Sequence, residues 1–210
     1  GPNCLGVLRP SIGLNASFAD TPKESGDIAL ISQSGAMAVA LLDAATAQGI
    51  SFSLVTSIGN KADLDEADFL EVADADKQTT VIGLYLESVK DGMKFMEAAS
   101  RIGVKKPIVL IKAGISARGA KAVSSHTGAL AGSTAALRAA CRSAGIHLAE
   151  NTREFLSLLS TLRNSPALRT TSVAIVTNAG GPGVLAVGVS AAGSAELCGR
   201  AEFVHCFNYF

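Results

Sequence analysis

The sequence predicts an α/β protein built on a doubly wound parallel sheet. Short apolar runs with strand character alternate with helical segments of about 10 to 13 residues, the order that right-handed crossovers between parallel strands require. Hydrophobic residues make up 48% of the chain and charged residues 17%, and 21 glycines are available for tight turns. Its 210 residues are enough for one generous domain, or for one domain and part of another.

The first elements follow from apolar runs and the turns between them. Asp27 to Ser32 is a predicted strand, and after the turn Gln33-Ser34-Gly35 the Ala-rich segment 36–48 is a predicted helix. The pattern continues with strands over 51–57, 80–86 and 107–112 and with helices over 65–73 and 91–102. In such sheets ligands gather at the carboxyl ends of the strands, so the residues that follow each strand are candidates for a site.

The later elements follow a long segment of small residues, 113–132, which is a predicted loop carrying His126. A helix over 134–144 comes next and ends at Gly145. Residues 146–148 are a predicted short strand, and a last helix over 152–162 begins with Thr152 as its N-cap.

A second unit is predicted after a linker in which Pro166 interrupts a polar stretch. The runs LIS-QSG at 30–35 and IVT-NAG at 175–180 share one order: apolar strand, hydroxyl residue, polar or small pair, glycine and then helix. The predicted organisation is a lead-in segment over 1–26, a first domain over 27–163, a linker over 164–171 and a shortened second domain over 172–210. No structure is predicted from 188 onward.

Charge and cysteine patterns exclude several classes of function. Lys and Arg total 18, as do Asp and Glu, so the sequence has no basic field for nucleic acid. The four cysteines show no CxxC pairing and no histidine at metal-ligand spacing, which argues against a metal site or disulfide framework and favours a reducing cytoplasm. No apolar run reaches the roughly 18 residues of a membrane span. We therefore expect a cytoplasmic protein with no nucleic-acid or membrane partner and no metal of its own.

Two glycine-containing strand-to-helix turns are candidate anion sites, Ser32 to Ala36 and Asn178 to Gly181. A helix start of this kind presents unpaired N–H groups and the positive end of the helix dipole. Neither turn has the spacing of a dinucleotide fingerprint or a P-loop. Each turn alone could equally serve only close packing of strand and helix, but its repetition favours anion binding.

His126 and Glu87 are the candidate catalytic residues. Neutral imidazole is a competent nucleophile near pH 7, and its phosphorylated form would need the donors that helix starts supply. Glu87 directly follows a buried strand and could hold the imidazole N–H. The plainer alternatives are a surface-loop histidine and a solvated acid at a strand end.

Other charged groups are interpreted as solvated. The acidic cluster Asp63, Asp65, Glu66 and Asp68 has helical spacing and is interpreted as a solvated helix start rather than a metal site. Lys112, Arg118 and Lys121 flank the histidine loop and could attract phosphate, although solvation accounts for them as well.

Six motifs together resemble one family, the NDP-forming acyl-CoA synthetases, which include ADP-forming acetate-CoA ligases and the α subunit of succinyl-CoA ligase. They run in family order across about 185 residues, a span that makes coincidence implausible. The motifs are GPNCLG at 1–6, ALISQSGA at 29–36, SIGNKADLDEADFLE at 57–71, LYLE at 84–87, SSHTGALAG at 124–132 and TNAGGPGVLA at 177–186.

The resemblance implies a flavodoxin-like, succinyl-CoA synthetase-like domain followed by the start of a second similar domain. It implies that His126 is a phosphohistidine and that Glu87 orients it. It implies that two helix starts bind phosphate and that the GPNC loop lies near the CoA thioester. The phosphate-binding residues are Ser32, Ser34, Gly35, Ala36, Asn178, Ala179, Gly180 and Gly181, and the loop residues are Asn3 and Cys4.

The implied activity is that of an acid-thiol ligase: acyl-CoA, ADP and phosphate are interconverted with carboxylate, CoA and ATP. The implied partners are a CoA-binding Rossmann-like domain, an ATP-grasp domain or subunit that holds the nucleotide with Mg²⁺, and a small carboxylic acid. The sequence departs from the family pattern after Ala186, and we expect no turnover from this segment alone. Two alternatives stay open: a regulatory region of a protein acetyltransferase, and a succinyl-CoA ligase α-type subunit.

Overall fold

A computed structural model describes residues 1–20, 24–115, 134–164, 173–185 and 201–205. The chain divides into two compact units, Gly1–Asn164 and Ser165–Phe210. None of the helices in the described part of the chain combines the length and apolar character that crossing a membrane requires.

The first unit is built on a seven-stranded sheet with the order β2-β1-β4-β3-β5-β6-β7. The five strands from β4 to β7 in this order are parallel to one another, which confirms the predicted α/β sheet. The strands are β1 Gly6–Arg9, β2 Leu14–Ser17, β3 Ser25–Ser32, β4 Phe52–Ser57, β5 Val81–Leu86, β6 Ile108–Lys112 and β7 Ile146–Ala149.

The lead-in segment forms a hairpin that the sequence analysis did not predict. Strands β1 and β2 are antiparallel to each other, and β1 is antiparallel to β4, so the sheet is mixed. Leu8 on β1 is completely buried, which gives the hairpin an anchor in the core. The hairpin thereby fixes residues 1–5 beside the end of β4.

Among the described residues of this unit, five helices cover both faces of the sheet, as a doubly wound fold requires. Helices α1 and α5 pack on one face through Leu41, Phe155 and Leu159, while α2, α3 and α4 pack on the other. The helices are α1 Gly35–Thr46, α2 Glu66–Ala75, α3 Gly92–Gly103, α4 Thr134–Ser143 and α5 Thr152–Asn164. The predicted N-cap of α5 was wrong by one residue, because Asn151 Oδ1 accepts the Glu154 amide.

The second unit contains two parallel strands, β8 Val173–Thr177 and β9 Ala201–His205. Strand β8 agrees with the strand expected after the linker. Strand β9 lies in the region for which no structure was predicted. The linker residues 165–171 lie outside the described part of the chain.

Asp76, at the end of α2, accepts hydrogen bonds from Arg9 of the hairpin at 2.8 Å and from Thr79 Oγ1 at 2.8 Å. Burial by itself would raise the pKa of Asp76. The hydrogen bonds from Thr79 and the Gln78 amide, with the charge of Arg9, outweigh burial and hold this pKa below its ordinary value. The native state therefore favours the ionised carboxylate.

We expect acid to weaken the fold partly through Asp76. A pKa lowered on folding contributes stability above the ordinary value of 3.8, and this stability is lost as pH falls through the lower native pKa. Asp76→Asn should lower the free energy of unfolding at pH 7 and reduce its dependence on pH below about pH 4. Urea denaturation across this range checks the effect, with exposed Asp63→Asn as the control. An acid dependence identical to wild type would contradict it.

Candidate functional site

A cleft of about 790 Å³ lies where β3 and β5 end, at the carboxyl edge of the parallel strands. Four segments that are distant in sequence meet there: the N-terminal loop, the turn into α1, the turn after β4 and the turn after β5. The lining residues are Asn3, Cys4, Leu5, Gln33, Ser34, Gly35, Ala36, Gly59, Asn60, Lys61, Glu87 and Ser88. The cleft thus gathers six of the residues that sequence analysis assigned to a site: Asn3, Cys4, Ser34, Gly35, Ala36 and Glu87.

The turn into α1 is held by two hydroxyl groups. Ser34 is the N-cap, and its Oγ accepts the Met37 amide at 3.3 Å. Ser32 is buried beneath the cleft rather than lining it, and its Oγ donates to the Ser34 carbonyl at 2.7 Å. Since the first amides of a helix have no intrahelical acceptor, this turn directs N–H groups and the positive end of the dipole of α1 at the cleft.

The N-terminal loop is fastened to the turn after β4. The Leu5 amide donates to Ser57 Oγ at 3.0 Å, the Asn60 amide donates to the Pro2 carbonyl at 3.1 Å, and Asn3 Nδ2 donates to Asn60 Oδ1 at 3.3 Å. Asn3 adopts a left-handed backbone with φ of 61°. The loop is therefore positioned by tertiary hydrogen bonds.

Gly59 is required for this close approach. Its φ is +52°, and a Cβ there would lie 2.5 Å from the Pro2 carbonyl oxygen. Gly59→Ala should therefore destabilise the protein by about 1 to 3 kcal/mol more than Gly49→Ala. Gly49 is a matched control, because its φ is +69° but no atom lies within 4 Å of its added Cβ. Urea denaturation measures the difference, and equal losses in the two variants would contradict the close packing of the loop.

Glu87 and Ser88 follow β5 and are held by Gln33, which is 8% exposed. Gln33 Oε1 accepts both the Glu87 amide at 2.9 Å and the Ser88 amide at 3.0 Å. Gln33 Nε2 donates to Ser88 Oγ at 3.1 Å. The turn that starts α1 is thereby joined to the segment that carries Glu87.

Two lysines bring positive charge to the same segment. Lys61 Nζ donates to the Ser88 carbonyl at 2.8 Å, and Lys112 Nζ donates to the Glu87 carbonyl at 2.8 Å. Burial lowers the pKa of Lys112, the charge of Glu87 opposes this effect, and the charge of Lys61 adds to it. The polarity of this end of the sheet suits an anionic ligand.

The acidic cluster begins α2 with Asp65 as its N-cap, as expected, but two of its members are buried and not solvated. Asp65 is 5% exposed and Glu66 is 1% exposed. Glu66 Oε2 lies 3.0 Å from Lys61 Nζ in ion-pair contact. Lys94 Nζ contacts both Asp65 and Asp68, and its 2.7 Å hydrogen bond to Asp68 holds the pKa of that carboxyl below the ordinary value. Ion pairs with Lys61 and Lys94 make this burial possible.

The turn at 177–181 repeats the turn into α1 within the second unit. Thr177 Oγ1 donates to the Ala179 carbonyl at 2.9 Å and accepts the Ala179 amide at 3.1 Å. Ser32 makes the same pair of contacts with Ser34, at 2.7 and 3.3 Å. Asn178, Ala179, Gly180 and Gly181 are all exposed. The repeat seen in the sequence therefore extends to the hydrogen bonds.

His126, with the whole motif 124–132 and the basic residues Arg118 and Lys121, lies outside the described residues. Sequence reasoning did not select Gln33, Lys61, Ser88 or Thr177. Gln33, Lys61 and Thr177 lie inside the motifs quoted above. Membership of a motif was the only sequence feature that could have selected them. The roles of Gln33, Lys61 and Ser88 depend on contacts with segments elsewhere in the chain, whereas Thr177 bonds within its own turn.

A family profile described as "Succinyl-CoA ligase like flavodoxin domain" matches residues 25–162. The chain belongs to this family. The resemblance stated from the six motifs is thereby confirmed. Within the family of succinyl-CoA ligase-like flavodoxin domains, acetate–CoA ligase [ADP-forming] I of Archaeoglobus fulgidus is 49% identical over 189 residues, which cover 89% of this chain and 27% of that protein.

Two further relatives in this family give the same picture. Subunit alpha of acetate–CoA ligase [ADP-forming] I of Pyrococcus furiosus is 47% identical over 186 residues, or 89% of this chain and 40% of the subunit. The structure of dinucleotide-forming acetyl-coenzyme A synthetase 1 of Ca. Korarchaeum cryptofilum with phosphate and ADP has a TM-score of 0.86 and 39% identity, covering 91% of this chain and 42% of that one. The chain thus spans between about a quarter and two-fifths of these relatives.

Proposed function

We propose that this chain is the phosphohistidine-bearing part of an ADP-forming acyl-CoA ligase. The reaction would interconvert acyl-CoA, ADP and phosphate with carboxylate, CoA and ATP. The observation that carries the proposal is the cleft, where the start of α1, the N-terminal loop and Glu87 meet at the carboxyl ends of the strands. The names of the relatives support the reaction class.

The chemistry divides into three transfers. A phosphate oxygen attacks the thioester carbonyl, the C–S bond breaks, and CoA leaves as the thiol with formation of an acyl phosphate. An imidazole nitrogen of His126 then attacks phosphorus, the P–O bond to the acyl group breaks, and the carboxylate is released. The phosphohistidine finally transfers its phosphoryl group to ADP. A covalent intermediate allows the acyl site and the nucleotide site to be separate.

This chain would contribute positioning and charge to these steps. The amides at the start of α1 would donate to phosphate oxygens and stabilise their negative charge. Glu87, which lines the cleft, would accept the imidazole N–H and fix the tautomer of His126. We propose the turn Asn178–Gly181 as a second phosphate-binding turn because its hydrogen bonds repeat those of the first.

Further domains would complete the enzyme. We propose a CoA-binding Rossmann-like domain, and an ATP-grasp domain or subunit that holds ADP or ATP with Mg²⁺. The coverage of the relatives, 27% and 40%, leaves room for such domains in proteins of this kind. In the part of the chain that the structure describes, no three His, Cys, Asp or Glu side chains form a group able to hold a metal ion.

The test uses the chain assembled with its CoA-binding and ATP-grasp partners. Incubation with radiolabelled phosphate and acetyl-CoA, or with γ-labelled ATP and Mg²⁺, should produce protein-bound label that is labile in acid and stable in base. The chain alone should form no ATP. Absence of label from both directions would overturn the proposal.

A further inference from the structure

We infer that Gln33, Lys61 and Lys112 are positioning residues that together fix the backbone of Glu87 and Ser88. They form a set that we call the side-chain cradle. The chemical consequence of the cradle rests on the proposed function, in which Glu87 orients the histidine. The fixing of the Glu87 and Ser88 backbone by these three side chains rests only on their hydrogen bonds.

The two amides of the segment are bound by one acceptor. Gln33 Oε1 lies 2.9 Å from the Glu87 amide and 3.0 Å from the Ser88 amide. The backbone of Gln33 is held in turn, because its main-chain N–H donates to the Tyr85 carbonyl at 2.8 Å, near the end of β5. Gln33 therefore joins β3 to the residues that leave β5.

The two carbonyls are bound by the two lysines. Lys112 Nζ donates to the Glu87 carbonyl at 2.8 Å, and Lys61 Nζ donates to the Ser88 carbonyl at 2.8 Å. All four main-chain polar groups of the dipeptide thus have side-chain partners. Loop backbone usually relies on water or local turns for such bonds, and three side chains from three elements replace them here.

The lysines are held in place as well. The Lys61 side chain is 5% exposed and contacts the buried Glu66 carboxylate, and its own backbone is left-handed with φ of 53°. Lys112 Nζ donates a second hydrogen bond to the Ala113 carbonyl at 2.7 Å. A non-glycine residue with positive φ marks a backbone that its surroundings determine. The cradle is therefore rigid.

A fixed backbone matters because, in the proposed function, Glu87 must meet the imidazole of His126, which is distant from it in sequence. A carboxylate displaced by about 1 Å can cost about a hundredfold in rate. The cradle fixes where the Glu87 side chain begins, and Glu87 lines the cleft. Loss of one cradle residue should then act through Glu87 and not through ligand binding.

The experiment is a double-mutant cycle in the assembled ligase, with the rate of phosphohistidine formation as the readout. Gln33→Met removes both acceptor contacts, and we expect about a 10- to 100-fold loss of rate with the KM for acyl-CoA unchanged. In a Glu87→Gln background the same change should cost little further, because coupled residues are not additive. A full additional loss in that background would overturn the positioning role.

Three further variants serve as controls for this result. Gln78→Met is the matched control, since Gln78 also binds backbone, at the Gly26 carbonyl 2.7 Å away, but lies outside the cleft. It should leave the rate unchanged. If Gln33→Met fails to fold, Lys112→Met replaces it in the cycle, and Lys112→Arg should restore part of the rate.

Amide hydrogen exchange tests the cradle independently of whether the proposed reaction occurs. Gln33→Met should speed the exchange of the Glu87 and Ser88 amides and leave amides of the central strand β3 protected. Unchanged exchange at both amides would overturn the cradle even if histidine labelling succeeds. Faster exchange together with no labelled histidine in wild type would retain the cradle and reject the proposed function.

Discussion

Replacing His126 by alanine is expected to abolish ATP formation and protein labelling in the assembled ligase. The imidazole would be the atom group that carries the phosphoryl between two sites, and no other transfer route replaces a lost covalent intermediate. By analogy with other removed nucleophiles, turnover should fall by about 10⁴-fold or more. The measurement is acid-labile label after incubation with phosphate and acetyl-CoA, together with the rate of ATP formation.

His147→Ala serves as the control for the His126 variant. His147 is an exposed residue on β7, Ile146–Ala149, and has no role in the proposed chemistry. The control should keep both label and turnover. Label that persists in His126→Ala would reject the assignment of the phosphohistidine, and loss of label in both variants would point to an effect on folding.

The second large effect is expected on stability, from breaking the buried pair of Lys61 and Glu66. Their side chains are 5% and 1% exposed, and their charged atoms lie 3.0 Å apart. Glu66→Gln keeps an oxygen for the Lys90 amide, which Glu66 Oε1 accepts at 2.7 Å. It leaves the lysine charge buried without its partner, so the free energy of unfolding should fall by about 3 to 5 kcal/mol.

Urea denaturation measures this loss, and Glu150→Gln is its matched control. Glu150 pairs with Arg138 at 2.7 Å, but the two side chains are 60% and 41% exposed, so this variant should cost less than about 1 kcal/mol. The double variant Lys61→Met with Glu66→Gln should lose less than the sum of the two single variants. A Glu66→Gln loss no larger than that of Glu150→Gln would contradict a tightly coupled pair.

The central elements of the fold could be predicted because their signal is local. Strand β3 contains the unbroken apolar run 28–31, and the apolar residues of α3 recur with helical period, so the class of each element can be predicted from its own residues. The hairpin could not be predicted in this way. Its strands have four residues each, and β2 is largely exposed, so its pairing depends on β1 and β4 rather than on its own pattern.

Site residues could be predicted from the sequence only where they stand at the end of a predicted strand or the start of a predicted helix. Glu87 was selected because it ends a buried strand, and Ser34 because it starts a helix. Gln33 stands between two hydroxyl residues in a turn, where a polar residue ordinarily faces water. Lys61 lies in a polar segment beside acids and gives no local sign of burial. Both side chains bind Ser88, which is 55 residues from Gln33 and 27 from Lys61, and a single sequence does not place contacts between such distant positions.

The long-range hydrogen bonds around the cleft also bear on the order of folding. Asn3 and Asn60 are 57 positions apart, Gln33 and Ser88 are 55 apart, and Lys61 and Ser88 are 27 apart. Contacts between distant positions require loop closure before they gain any stability, so they form late. A partly folded chain would hold helices but no cleft. Recovery of the cleft after denaturation should therefore lag behind recovery of helical signal.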